Sequence, residues 1–113
     1  MCIAFVVLPL SKYRNISIFR YMNEIKWEEA AECLRVLSHP HRLQIIHLLL
    51  IKDHSVGEIA GACRILQNVA SEHLILMKNK GFIKSYKEGR KVYYTILDPA
   101  LSSIISCVKQ RFS

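Results

Sequence analysis

Glycine and proline are scarce, at four and three among 113 residues, and there is no internal repeat or low-complexity stretch. That shortage excludes a linker-like or collagen-like chain and fits helices joined by short connections. The four cysteines, Cys2, Cys33, Cys63 and Cys107, lie far apart with no C-x-x-C pair, which excludes the disulfide framework of a small secreted protein. A phosphate-binding glycine loop, a nucleophile elbow and a convergent carboxylate pair are all missing, so the sequence does not read as an enzyme. The apolar run at residues 1–10, MCIAFVVLPL, is too short to span a bilayer, follows no basic segment and precedes no small-x-small cleavage site. These absences lead to the expectation of a cytoplasmic protein with no cofactor and no membrane partner.

Acid is short too. Nine acidic residues face sixteen basic ones, for a formal net charge of +7 and a pI near 9.4. A positive field attracts polyanions, but its position says more than its size. Residues 78–91 hold Lys78, Lys80, Lys84, Lys87, Arg90 and Lys91 against Glu88 alone, whereas residues 23–32 carry Glu24, Glu28, Glu29 and Glu32. Basic charge gathered in one region is what a nucleic-acid-binding face requires; the alternative is an ordinary solvated surface. The length suits one domain, large enough to bury a core without metal or disulfide staples.

Periodicity places the elements. Residues 1–21 read differently from the rest, either as an upstream extension or arm or as an extra strand or helix on the core, and residues 22–113 form the main domain. Helix one begins at Asn23 or Trp27 and ends at Leu37, with Ala30, Cys33, Leu34 and Leu37 at helical spacing. Helix two starts on Pro40, a favoured first helical residue, and carries Leu43, Ile46, Leu49 and Leu50. Ser55-Val56-Gly57-Glu58 is a capping box that opens helix three, which runs to about Cys63. A fourth helix runs from about Gln67 to Lys80 and stops at Gly81. The period then falls to two on either side of Lys87-Glu88-Gly89-Arg90, which predicts a β-hairpin. Asp98-Pro99 opens a last helix with Leu101, Ile104, Ile105, Val108 and Phe112 on one face. The fold expected is mainly α with a small β-hairpin, in the order α-α-α-α-β-β-α.

Helices three and four, joined by a short turn and followed by a basic hairpin, make a winged helix-turn-helix candidate. In such motifs the second helix enters the major groove with its N-terminal residues on base edges. Those residues are Gln67, Asn68, Val69, Ser71, Glu72 and His73. Amide side chains pair bidentately with adenine, and a serine serves base or phosphate. Arg90 at the hairpin tip, flanked by Lys87 and Lys91, suits a narrow minor groove, where the negative potential is strongest.

Four blocks in order at normal spacing carry a resemblance to the ArsR/SmtB family of bacterial repressors. They are Leu37-Ser38-His39-Pro40-His41-Arg42-Leu43, Val56-Gly57-Glu58-Ile59-Ala60, Val69-Ala70-Ser71-Glu72-His73-Leu74 with Gly81-Phe82-Ile83, and Glu88-Gly89-Arg90-Lys91-Val92-Tyr93-Tyr94. The resemblance implies a homodimer that pairs through its first and last helices and binds double-stranded DNA at a palindromic operator. It covers roughly Trp27 to Phe112. The sequence also departs from the family. Leu66 stands where a capping serine is usual, Arg64 replaces a common turn glycine, and Glu72 stands where a basic residue is frequent.

The two familiar metal sites of the family look absent. Helix three opens on Ser55-Val56-Gly57 without a thiolate, and no histidine follows Asp98. The five histidines, His39, His41, His47, His54 and His73, show no spacing that ensures the three or four converging ligands zinc needs, so no metal site is expected. Cys33 and Cys107 fall on the first and last helices and form a candidate redox pair. Against this, free cysteine commonly acts as a small buried hydrophobe, and the redox-sensing relatives place one thiol where this sequence has His47. A winged helix kept for protein pairing, with DNA binding weakened by Arg64, Leu66 and Glu72, is the alternative function.

Overall fold

The computed structural model describes residues 22–113. The reading of residues 1–21 as a separate extension therefore lies outside the described residues. Helix α1 spans Trp27–Leu37, the later of the two starts considered above. Its N-cap, Lys26, makes no side-chain cap bond, but Glu28 and Glu29 lie in the first turn, where the positive end of the helix dipole favours carboxylates. Trp27 Nε1 donates to the Met22 carbonyl at 2.6 Å. Helix α2 spans Pro40–Ile51, with proline in its first turn and His39 as the cap: His39 Nδ1 accepts from the His41 backbone N–H at 3.1 Å.

The strand β1, His54–Ser55, was not anticipated. Two residues are too few to show alternation, and both pair with the hairpin, His54 opposite Tyr94 and Ser55 opposite Tyr93. Ser55 also caps helix α3, Val56–Cys63. The capping box forms in full: Glu58 N–H donates to Ser55 Oγ at 3.3 Å and Ser55 N–H donates to Glu58 Oε1 at 2.9 Å. Helix α4 is Gln67–Asn79, strands β2 and β3 are Ile83–Glu88 and Lys91–Ile96, and helix α5 is Leu101–Phe112. The sheet is antiparallel in the order β1-β3-β2, so the hairpin becomes a three-stranded sheet. Helix α5 starts later than Asp98-Pro99 would suggest. Asp98 Oδ1 accepts from Ala100 N–H at 3.0 Å and the chain makes one turn before the helix begins.

Two helix ends share one geometry. After α4, Phe82 N–H donates to the Met77 carbonyl at 3.1 Å and Gly81 N–H to that of Lys78 at 3.0 Å, with Gly81 at φ +81°. This is the Schellman closure, which calls for a left-handed residue and so for glycine. After α3 the Ile65 N–H donates to the Ala60 carbonyl at 3.1 Å and the Arg64 N–H to that of Gly61 at 3.3 Å. Here the left-handed residue is Arg64, at φ 57° and ψ 46°.

The core gathers one stripe from each helix. Ile45 and Ile46 of α2, Ile59 of α3, Leu74 and Met77 of α4, Ile83 of β2 and Leu101 of α5 are its largest fully buried side chains. Helix α4 presses this face inward, against α2, α3 and β2. Its other face is left outward. Among the described residues no helix is long and apolar enough to cross a membrane.

Candidate nucleic-acid interface

The first residues of α4 lie at the surface, and Ala70 at the end of the first turn enters the core. Leu66 holds the extended backbone of an N-cap, φ −68° and ψ 149°, but makes no side-chain cap bond and is 70% exposed. Gln67, Asn68 and Glu72 are exposed, and Val69 and Ser71 are half-buried. Gln67 reaches back over α3: a β-carbon added to Gly57 would lie 3.2 Å from Gln67 Nε2. The two helices of the motif thus touch where glycine leaves room for an amide.

The wing comes to the same place. Glu88 pairs with Lys91 across a two-residue turn, Gly89-Arg90, with Gly89 at φ +64°. Glycine at the first central position, with a positive φ there alone, is the pattern of a type II′ hairpin turn. Lys87, Arg90 and Lys91 are all exposed. An open cavity of about 570 Å³ lies between wing and motif, lined by Ser55, Val56, Gly57, Glu58, Gln67, Arg90, Lys91 and Val92. It brings Gln67, from the start of α4, together with Arg90 and Lys91, more than twenty residues on. Glu58 on this wall is held below the usual carboxylate range, chiefly by the Ser55 backbone N–H, so the capping box stays ionised.

The basic stretch does not act as one block. Lys78 Nζ donates to Ser85 Oγ at 2.8 Å, and Lys80 Nζ lies 3.6 Å from Glu32 of α1. These two lysines brace α4 against its neighbours, while Lys87, Arg90 and Lys91 stay outward. Lower on the wing, the Tyr86 hydroxyl donates to Asp53 Oδ2 at 2.6 Å and the Tyr86 ring stacks on Tyr93 at 5.8 Å between centroids. The bond to Asp53 pushes the Tyr86 phenol up to about 12. Hydrogen bonds from Thr95 and Tyr86 hold the Asp53 carboxyl below its usual value. This network ties the loop after α2 to both strands of the hairpin.

His73 corrects the sequence reading. It was expected among the base-contacting residues, yet its side chain turns inward and is only 9% exposed. Seven residues into the helix, position 73 falls on the face that carries Ala70, Leu74 and Met77 into the core. Its Nδ1 accepts from Arg42 Nε at 3.1 Å, and Arg42 Nη1 donates to the Val36 carbonyl at 3.0 Å. Burial, aided by the nearby His39, Arg42 and His41, holds the His73 imidazole below its usual pKa. The three rings of His39, His41 and His73 stand together, with centroids 4.6 Å apart for His39 and His73, 5.4 Å for His39 and His41, and 5.9 Å for His41 and His73. The sequence offered no spacing that foretold this convergence, because thirty-odd residues separate the α2 pair from His73.

Of the cysteines, Cys33 is a free thiol packed beside the core, as a small hydrophobe would be, and Cys107 is half-buried on α5. Cys63 is likewise free, and its partial burial pushes the thiol up, away from the reactive thiolate.

A family model described as "Bacterial regulatory protein, arsR family" matches residues 39–85, from the cap of α2 into β2. The HTH-type transcriptional regulator YgaV of Escherichia coli (strain K12) is 32% identical over 83 residues, which cover 73% of this chain and 84% of that protein. The chain belongs to the ArsR family. This ArsR-family chain is also 34% identical to the transcriptional repressor PagR of Bacillus anthracis over 79 residues, 69% of this chain and 79% of PagR. Among solved structures it is similar to the homodimeric winged helix-turn-helix DNA-binding domain of Mb0332 from Mycobacterium bovis. The TM-score is 0.66 at 28% identity, covering 74% of this chain and 77% of that one. The family is one of transcriptional regulators rather than enzymes, and the winged helix-turn-helix expected from the sequence is the fold observed.

Proposed function

We propose that this ArsR-family chain is a homodimeric repressor that binds a palindromic operator in duplex DNA, with α4 in the major groove and the tip of the β2–β3 wing in the adjacent minor groove. The observation that carries this reading is the shared face on which Gln67, Arg90 and Lys91 line one cavity. Gln67 and Asn68 supply amides that match adenine, Ser71 serves base or phosphate, and Val69 offers an apolar contact for a thymine methyl. Arg90 enters the minor groove, and Lys87 and Lys91 neutralise phosphates. Glu72 sets base preference where it accepts from a cytosine amino group and lowers affinity where it faces a phosphate. Repression follows by occupation: a dimer seated on a promoter excludes polymerase.

Pairing through α1 and α5 is supported by apolar side chains that the single chain leaves outside. Trp27 and Leu34 of α1 are 49% and 55% exposed, and Phe112 of α5 is 77% exposed. Large exposed apolar groups on these two helices favour an interface there.

The test is a DNA-binding titration at several salt concentrations with half-sites ~34–36 Å apart. Arg90→Ala should weaken binding to every sequence and flatten the salt slope by about one contact, whereas Gln67→Ala or Asn68→Ala should cost roughly 1–3 kcal/mol and relax base preference. Unchanged affinity and salt slope in Arg90→Ala would overturn the placement of the wing.

A further inference from the structure

We propose that His39, His41 and His73 form a binding site for a divalent transition-metal ion of the zinc class, set between the start of α2 and the inner face of α4. One ligand atom from each ring lies within 4.8 Å of the other two. Zinc–imidazole bonds of about 2.0–2.1 Å in a tetrahedron put neighbouring nitrogens roughly 3.3 Å apart. The rings must therefore close by about 1.5 Å at most, which side-chain rotation of the half-buried His39 and His41 can supply. Three imidazoles leave the fourth position to water. An all-nitrogen set suits zinc, copper or nickel and disfavours calcium and magnesium, which take oxygen. The site is apart from both positions considered in the sequence, the start of α3 and the length of α5.

The bonds the rings already make decide what binding must change. His73 Nδ1 accepts from Arg42, so the neutral ring carries its proton on Nε2. The ion is taken either by Nδ1 in place of the guanidinium, or by Nε2 after the ring proton moves to Nδ1. In both cases Arg42 Nε–H loses its acceptor, while Arg42 Nη1 keeps the Val36 carbonyl. His39 faces the same choice, since its Nδ1 accepts from the His41 backbone N–H. All three ligands bind as neutral imidazoles, and the cation joins a guanidinium that already stands against His73. Filling the site would pin the middle of α4 to the first turn of α2.

The experiment uses the full chain with metal ions alone and reads binding without DNA, so its outcome is independent of the operator reading. Zinc calorimetry should give one ion per chain. Cobalt(II) substitution should give visible d–d bands with no thiolate-to-cobalt charge-transfer band. In proton–nitrogen spectra, zinc should move the ring signals of His39, His41 and His73 and leave those of His47 and His54 in place. His41→Gln, whose side chain caps nothing, and His39→Asn, which retains a short capping acceptor, should each weaken zinc by tenfold or more, since even outer-shell losses cost about 10–100-fold. Melting without metal checks that both variants fold. Absence of zinc binding at micromolar concentration, a thiolate band, ring shifts confined to His47 or His54, or undiminished affinity in a folded His41→Gln would each overturn the site. The spectra of the unaltered chain decide the matter if both variants fail to fold.

Discussion

Leu66 is the most instructive single position to change. Its backbone already holds the extended conformation of an N-cap, and the first helical bond runs from Ala70 N–H to the Leu66 carbonyl at 3.0 Å. What the leucine lacks is a side-chain oxygen for the amides of Asn68 or Val69. Replacing it with serine supplies that acceptor, and a capping hydroxyl is typically worth about 1 kcal/mol over alanine. The cost is small because Leu66 is 70% exposed. If full burial of a leucine is worth about 1.5–3 kcal/mol, the remaining third contributes roughly 0.5–1 kcal/mol. Leu66→Ser should therefore come out near neutral, between about 0 and +0.5 kcal/mol, while Leu66→Ala should lose roughly 0.5–1 kcal/mol. The quantity that isolates the cap is the difference between the two variants. It should be about 1 kcal/mol, or several degrees in melting temperature for a domain of this size. Urea unfolding at one fixed protein concentration measures it without confusing stability with mass action on a dimer. Equal midpoints for the serine and alanine variants, at equal slopes, would refute the claim that the start of α4 is uncapped.

Arg64→Gly should stabilise by about 0.5–1 kcal/mol, because relief of a left-handed conformation worth roughly 1–2 kcal/mol exceeds the added entropy of glycine in the unfolded chain; calorimetry showing destabilisation would contradict it. Tyr86 should ionise near pH 12 in the native chain. An unfolded tyrosine loses its proton near pH 10, so the stability this phenol contributes is complete below about pH 10 and is lost as pH rises through about 12. Ultraviolet difference titration of native protein against Tyr86→Phe reads the shift, and Asp53→Asn should bring it back toward 10.

The legible parts of the fold were those governed by local chemistry. The capping box at Ser55, Pro40 at the start of α2, Gly81 after α4 and Gly89 in the wing turn each carry a local rule, and each stands where that rule puts it. The departures at Arg64 and Leu66 were legible for the same reason: one appears as a left-handed arginine, the other as a cap without a bond. What escaped reading depends on partners distant in the chain. Strand β1 exists only because β3 lies beside it, and its two residues hold no periodicity of their own. His73 looked outward as part of a recognition segment, but its face is set by Arg42, thirty-one residues earlier. The histidine cluster escaped for the same reason, since convergence of side chains on different helices leaves no trace in spacing. The basic run at 78–91 misled in a smaller way. Lys78 and Lys80 serve as braces within the molecule, so charge counted along the chain exceeded charge presented to a ligand.

Helix α4 is gripped at its waist and left uncapped at its tip. Arg42 and the histidine rings hold it at position 73, the core holds Leu74 and Met77, and Lys78 and Lys80 clamp its far end, while its first turn has no hydroxyl cap. Its uncapped first turn carries Gln67, Asn68 and Val69, the residues proposed to meet the bases. An uncapped end of this kind would gain its last order from the surface it met, so a well-matched operator would recover the ordering cost through its contacts and a poorly matched one would not. Discrimination between DNA sequences would then reside partly in the stiffness of one helical turn, and a change at Leu66 that touches no base would still alter which operators the protein prefers.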